Sequence, residues 1–312
     1  MFGTILISIC TFMHVYVFWR IASVPFIDRH VPPRILMGTG VILWAVFFFG
    51  RVIAHNRTGI MAGVLEFMGM NWMAILFLIF TPLLLTDIVT CFGFLMPRLS
   101  PSLRGWALLA GLALSVIALF QGLRPPVIEE YEVSLPGLPD ALDGTVLVAV
   151  SDMHLGSQIG GPWLAARIKQ IKAQQPDIVV LLGDIFEGHG PPEEHLIATF
   201  QQLTASFGIW AVPGNHEFHG KGSLNLFAEA GFKLLNNEWV EVGPGFVLAG
   251  VEDLTTRSRN GQSSDSVLQI LKARPPGATI LLSHTPWQAE KAAGEGVGLM
   301  LSGHTHGGQI WP

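Results

Sequence analysis

Charge is what this chain has least of. Only 13% of its 312 residues are Asp, Glu, Lys or Arg, and half are hydrophobic, whereas a soluble domain carries about 25% charged residues. The deficit excludes a disordered chain, a coiled coil and a nucleic-acid-binding tail. Cysteine is nearly absent. Cys10 and Cys91 both lie in apolar runs, so there is no disulfide framework and no cysteine-based zinc site, and the redox compartment stays open. Lysine is missing altogether from residues 1–124. The mean hydropathy of +0.48 points to membrane segments if the apolar residues cluster, and the length suggests two units at roughly 100–200 residues per domain.

The apolar residues do cluster. Residues 1–124 hold eight arginines against three acids (Asp28, Glu66 and Asp87), a balance of +5. Residues 125–312 hold ten basic residues against twenty acids, a balance of −10, which argues against a nucleic-acid surface. Met1–Trp19, Ile35–Ala54 (with Arg51 snorkelling), Phe67–Thr86 and Gly105–Leu123 are four apolar runs near the ~20 residues that span a bilayer. They predict a four-helix transmembrane region over 1–124, with spans at about 1–20, 35–54, 67–94 and 105–123, and a lipid bilayer as partner. The first run lacks a basic segment before it and reads as a retained span rather than a cleaved signal. Asp87 follows Pro82 and reads as interfacial. His14 reads as packing, and Trp19, Trp44, Trp72 and Trp106 as interfacial anchors. Arg20, Arg29, Arg34, Arg98 and Arg104 fall in the first and third loops, against Arg51, Arg57 and Arg124 on the other side. That bias predicts a C-terminal half on the outer face of the membrane.

Residues 125–144 read as a linker and first strand, with Glu129–Val133 alternating and Pro136, Gly137, Pro139 and Gly144 marking turns. The pattern then changes. Short Val- and Leu-rich runs at Thr145–Val150, Ile178–Leu182, Ile209–Val212, Ala278–Leu282 and Leu299–Leu301 read as buried strands. Helical spacing appears at Trp163–Gln174 and Leu196–Leu203. Residues 145–312 therefore form an α/β domain with a largely buried sheet.

Each strand is followed by chemistry. The five segments are Asp152-Met153-His154, Gly183-Asp184, Gly214-Asn215-His216-Glu217, Ser283-His284-Thr285-Pro286 and Gly303-His304-Thr305-His306-Gly307-Gly308. In open α/β sheets the ligand crevice lies at the carboxyl ends of the strands, so these residues converge. Asp152, His154, Asp184, Asn215, His284, His304 and His306 offer oxygen and nitrogen ligands for Mn, Fe, Zn or Mg. Seven ligands suit two divalent ions sharing a carboxylate, an arrangement fitted to in-line displacement at phosphorus.

In this order the five blocks resemble the calcineurin-like metallophosphoesterase superfamily, and within it the bacterial membrane-anchored branch. The resemblance covers roughly residues 145–312. It implies an α/β-β-α sandwich in which Asp152, His154 and His306 hold one metal, Asn215, His284 and His304 hold the other, and Asp184 bridges them with a water or hydroxide as nucleophile. His216 would stabilise the transition state and protonate the leaving oxygen, while Glu217 orients its loop. It also implies further strands beyond Gly308. The chain stops at Pro312 with the strand before His304 at an open edge, so the natural protein is expected to continue by some tens of residues.

The expected activity is a metal-dependent phosphodiester or pyrophosphate hydrolase at a bacterial inner membrane. Its substrate would be a phosphorylated small molecule or lipid, such as a nucleotide-diphosphate acylglucosamine. The alternatives are a phosphodiesterase on soluble nucleotides and a non-catalytic sensor or scaffold, and the complete ligand set disfavours the second. His30, His55, His189, His195 and His219 read as surface or packing residues, with His219, Arg257 and Arg259 as weak candidates for substrate contact. The oligomeric state is not legible.

Overall fold

A computed structural model describes residues 2–53, 59–156, 159–187, 194–218, 224–261 and 266–308. The chain divides into two compact units, residues 1–129 and 130–311.

The first unit is helical: α1 (Phe2–Ala22), α2 (Pro25–His30), α3 (Pro33–Val52), α4 (Ile60–Val89) and α5 (Ser100–Gly122). The helices α1, α3, α4 and α5 are long and apolar enough to cross a membrane. The third span differs from expectation, running over 60–89 rather than 67–94. Its expected start was set by excluding Glu66, which instead lies buried inside the helix. Its end is set by Thr90, whose Oγ1 accepts from the Gly93 N–H at 3.2 Å, and by the left-handed backbone of Cys91 and Phe92.

Asp87 lies two residues before the end of α4, close to the span end where the sequence reading put it, and is fully buried within the helical unit. Its carboxylate accepts from the Tyr16 hydroxyl at 2.6 Å and pairs with Arg20 Nε at 2.5 Å and Arg104 Nε at 2.9 Å, so it ties α1, α4 and α5 together. Both arginines are themselves buried, and Arg20 also stacks on the Trp19 ring, 3.7 Å from its centroid. His14 packs inside the bundle, accepting at Nδ1 from the Trp72 indole at 3.2 Å and donating from Nε2 to the Gly40 carbonyl at 3.0 Å. Trp72 therefore also makes a contact inside the helical unit.

Glu129–Val133, at the boundary of the two units, is exposed and forms no strand, contrary to its alternating pattern, because nothing among the described residues pairs with its backbone. In the second unit the strands are β1 (Leu147–Val150), β2 (Ile178–Leu181), β3 (Ile209–Ala211), β4 (Lys233–Leu234), β5 (Glu238–Gly243), β6 (Phe246–Gly250), β7 (Ala278–Leu282) and β8 (Leu299–Leu301). The helices are α6 (Gly161–Ala173), α7 (Glu194–Phe200), α8 (Asn225–Glu229), α9 (Leu254–Arg259), α10 (Ser266–Ala273) and α11 (Ala289–Gly294). One sheet has the order β1-β2-β3-β4, all parallel. The other has the order β5-β6-β7-β8, with β5 antiparallel to β6 and the rest parallel.

Strand β2 shows why such runs are apolar without alternation. Val179 and Leu181 pack with Leu164, Ile168 and Phe200 of α6 and α7. Ile178 and Val180 face the other sheet, against Phe246, Leu248, Ile280 and Leu282. Beyond that sheet, Ala249 and Leu281 pack with Leu254, Val267 and Leu271 of α9 and α10. The layers run helix, sheet, sheet, helix, and strands buried on both faces must be apolar on both.

Candidate metal centre

All the polar blocks lie at the carboxyl edge of these strands. Asp152 and His154 follow β1, Asp184 follows β2, and Asn215 and His216 follow β3. From the second sheet come His284 after β7 and His304 and His306 after β8. The backbone there is unusual. Asp152, His154, Asp184, His304 and His306 all have φ between 46° and 71°. Left-handed conformations are uncommon outside glycine and cluster where function demands a particular side-chain aim. Close approach of the two loops needs glycines as well. A Cβ on Gly183, at φ 85°, would sit 2.6 Å from the Gly214 nitrogen and 2.7 Å from His284 Nδ1, and one on Gly214 would overlap the Asp184 carboxylate.

Asp184 stands at the centre, nearly wholly buried. It accepts from the His216 backbone N–H at 2.8 Å and lies 3.2 Å from His284 Nε2, 3.9 Å from His154 Nε2 and 4.0 Å from His216 Nε2. The ligand atoms of Asp152, His154 and His306 lie within 4.8 Å of one another, as do those of Asp184, His284 and His304, and those of His154, Asp184 and His216. A cavity of about 460 Å³ is lined by His154, Asp184, Glu187, Asn215, His216, His304 and His306. The structure thus brings together all seven expected ligands and His216. Arg257 does not line this cavity. It pairs with Glu252 and lies in a separate cleft with Glu238 and Trp239. His55, His189, His219 and Gln309–Pro312 lie outside the described residues, as does the side chain of His195.

The donor set fits divalent metal ions. His154 Nε2 faces His306 Nε2 at 3.2 Å, and His284 Nε2 faces His304 Nδ1 at 3.2 Å. Two imidazole lone pairs aimed at each other repel, whereas ligand atoms about 2.1 Å from a shared ion stand about 3 Å apart. The tautomers agree with this. His284 Nδ1–H donates to the Leu182 carbonyl at 2.7 Å, and His154 Nδ1–H donates to Glu187 Oε2 at 2.8 Å, which in the neutral rings leaves both Nε2 lone pairs turned toward the other candidate ligand atoms. Asn215 Oδ1 is buried and has no hydrogen-bond partner among the described residues, as a ligand oxygen would be.

Two acids organise the centre. Glu217, almost fully buried, accepts from the backbone N–H groups of Asp184, Ile185, Phe186 and Gly214 at 2.7–3.0 Å, and so fastens the β2 loop to the β3 loop. Burial and the nearby Asp184 charge push its carboxyl upward, and those N–H bonds oppose them. Glu187, which the motif reading passed over, touches both His154 and His216, the latter at 3.5 Å through Nδ1. Its signal was a carboxylate three residues after Asp184 on the same loop. Burial disfavours the His216 imidazolium, but Glu187 and Asp184 outweigh it and raise its pKa to about 9. Burial likewise works against the charged forms of His284 and Asp184, yet their mutual contact raises the former and lowers the latter.

Comparison with known proteins agrees with this geometry. The calcineurin-like phosphoesterase profile matches residues 145–308. A bovine transmembrane protein with metallophosphoesterase domain is 30% identical over 222 residues, 66% of this chain and 50% of its own length. Uncharacterized metallophosphoesterases of Aquifex aeolicus and Bacillus subtilis are each 32% identical, over 59% and 60% of this chain and 71% and 68% of their own. The chain spans about half the length of the bovine and zebrafish relatives it matches. By these matches, the chain belongs to the calcineurin-like phosphoesterase family.

Proposed function

We propose that this chain is a membrane-held, metal-dependent hydrolase of phosphodiesters or pyrophosphates, with two divalent ions in its site. The observation that carries the reading is the position of Asp184, one buried carboxylate common to two clusters of ligand atoms. Divalent ions held there supply charge stabilisation to the phosphoryl oxygens and acidify water. The chain's own residues do the rest. Asp152, His154 and His306 form one ligand group, Asn215, His284 and His304 the other, and Asp184 serves both. His216 holds a proton close to the phosphoryl position, through Glu187 and Asp184, and delivers it to the leaving oxygen as general acid. Glu217 holds the Asp184 and Asn215 loops at fixed separation.

Four helices long enough to span a bilayer favour an amphiphilic substrate, such as a lipid-linked diphosphate or a phospholipid, over a soluble nucleotide. The test is hydrolysis of bis-p-nitrophenyl phosphate with Mn²⁺ by the purified full chain, compared with Asp184→Asn and His216→Ala. The wild type should turn over, His216→Ala should lose about 10²-fold or more, and Asp184→Asn should fall to background. No activity, or equal activity in all three, would defeat the hydrolase reading in favour of a scaffold.

A further inference from the structure

The surface of the α/β unit has an uneven distribution of large apolar side chains. Among the described residues from 146 onward, those that are exposed are Val146, Phe218, Trp239 and Trp287. Val146 precedes β1 and lies at the amino edge of its sheet. The other three are aromatic and lie at the carboxyl edge, where the ligands are. Phe218 comes two residues after His216, and Trp287 three after His284. Trp239 lies near the start of β5, opposite Ala249 at the end of the antiparallel β6, which is the same edge. Two and three residues of chain reach at most about 7 and 11 Å, so the backbones of Phe218 and Trp287 stay at this edge, one on each sheet, next to but outside the side chains that line the cavity.

An exposed Trp leaves a large apolar surface in water, and such residues concentrate at binding sites and at the water–lipid interface. Here Phe218 is 37% and Trp287 44% exposed. A phosphate needs only the polar floor. A rim of this kind suits a substrate whose phosphoester carries a hydrocarbon chain. The same chain carries four helices of membrane length, so lipid is the hydrocarbon source that its location supplies.

We infer that Phe218 and Trp287 form an apolar shoulder that takes the hydrocarbon chain of an amphiphilic phosphoester and sets the enzyme's preference for it. The inference rests on the hydrolase reading above. It is tested with the purified full chain in Mn²⁺ and a fixed concentration of uncharged detergent, on p-nitrophenyl methyl phosphate and p-nitrophenyl dodecyl phosphate. The readout is the ratio of kcat/KM for the dodecyl ester to that for the methyl ester. The wild type should prefer the dodecyl ester. The double variant Phe218→Ala/Trp287→Ala should lower the ratio roughly tenfold, through KM on the dodecyl ester. Trp287→Phe, which keeps an aromatic ring, should recover most of it, and Val146→Ala, at the opposite edge, should keep the wild-type ratio. Residual turnover of the methyl ester reports that each variant is folded. A wild-type ratio near one, or a preference that survives the double substitution, overturns the inference while leaving hydrolysis itself standing. A wild type that cleaves neither ester nor bis-p-nitrophenyl phosphate overturns the hydrolase reading, and the inference with it.

Discussion

Two buried aspartates in this chain have opposite surroundings. Asp87, among the membrane-length helices, receives two guanidinium groups and a phenol from its own chain. Asp184, at the end of β2, receives a backbone N–H and a ring of imidazoles, while the neighbouring Asn215 oxygen has no partner. The first carboxylate is neutralised permanently, because arginine stays protonated at any physiological pH. The second is surrounded by imidazoles, which can serve as neutral metal ligands as well as cations. The carboxylate that ties helices together has permanent cations built in beside it, whereas the one at the strand ends is surrounded by groups that could also hold a metal ion.

The sharpest test of that contrast is at Asp87. Asp87→Asn should destabilise the helical unit by about 3 kcal/mol or more, because it strands two buried arginines without a counter-ion. Thermal unfolding of the purified protein in detergent checks this. The hydrolytic turnover of molecules still folded should match that of the wild type. A variant with unchanged unfolding and weakened metal binding would reverse the assignment of the two aspartates.

Glu187 ranks next. It orients His154 through a 2.8 Å hydrogen bond and also touches His216. Glu187→Gln keeps the size and removes the charge, so metal affinity or turnover should fall by about 10–100-fold. Metal titration by calorimetry, alongside kcat, separates the two effects. Unchanged metal affinity together with unchanged turnover would show that the carboxylate is incidental.

The two units were also unequally legible. The five ligand-bearing strands announced themselves, because a strand buried on both faces must be apolar and its carboxyl end then changes abruptly to Asp, Asn or His. The hairpin of β5 and β6 carried no such marker. Glu238-Trp239-Val240-Glu241 has one exposed face, and its turn at Gly245 is a single positive-φ glycine, so it passed unnoticed. Glu129–Val133 erred the other way. Alternation is a local signal, but a strand exists only where another strand lies alongside. In the helices, apolarity located the spans but not their ends, since Glu66 sits inside α4. Nor could sequence show that Arg20, Asp87 and Arg104 meet, because 67 and 17 residues separate them and only packing of three helices joins them. Glu187 was missed for a related reason, since what identifies it is contact with two histidines 33 and 29 residues away.

The smallest expected effect concerns a histidine that looks like a ligand and is not one. Both nitrogens of His14 are committed, Nδ1 to the Trp72 N–H and Nε2 to the Gly40 carbonyl, so the ring links α1 to α3 and α4. At the candidate metal centre each of His154 and His284 commits Nδ1 to an acceptor and turns Nε2 toward the other candidate ligand atoms. A ring with no lone pair to spare is structural. His14→Phe removes both bonds but fills the space, and polar contacts between helices in a bilayer contribute only about 0.6–1.7 kcal/mol each. The variant should therefore unfold a few degrees earlier in detergent, with metal content per folded molecule equal to that of the wild type. Loss of a metal equivalent in His14→Phe would place a ligand among the helices, and the distinction drawn from nitrogen bookkeeping would fail.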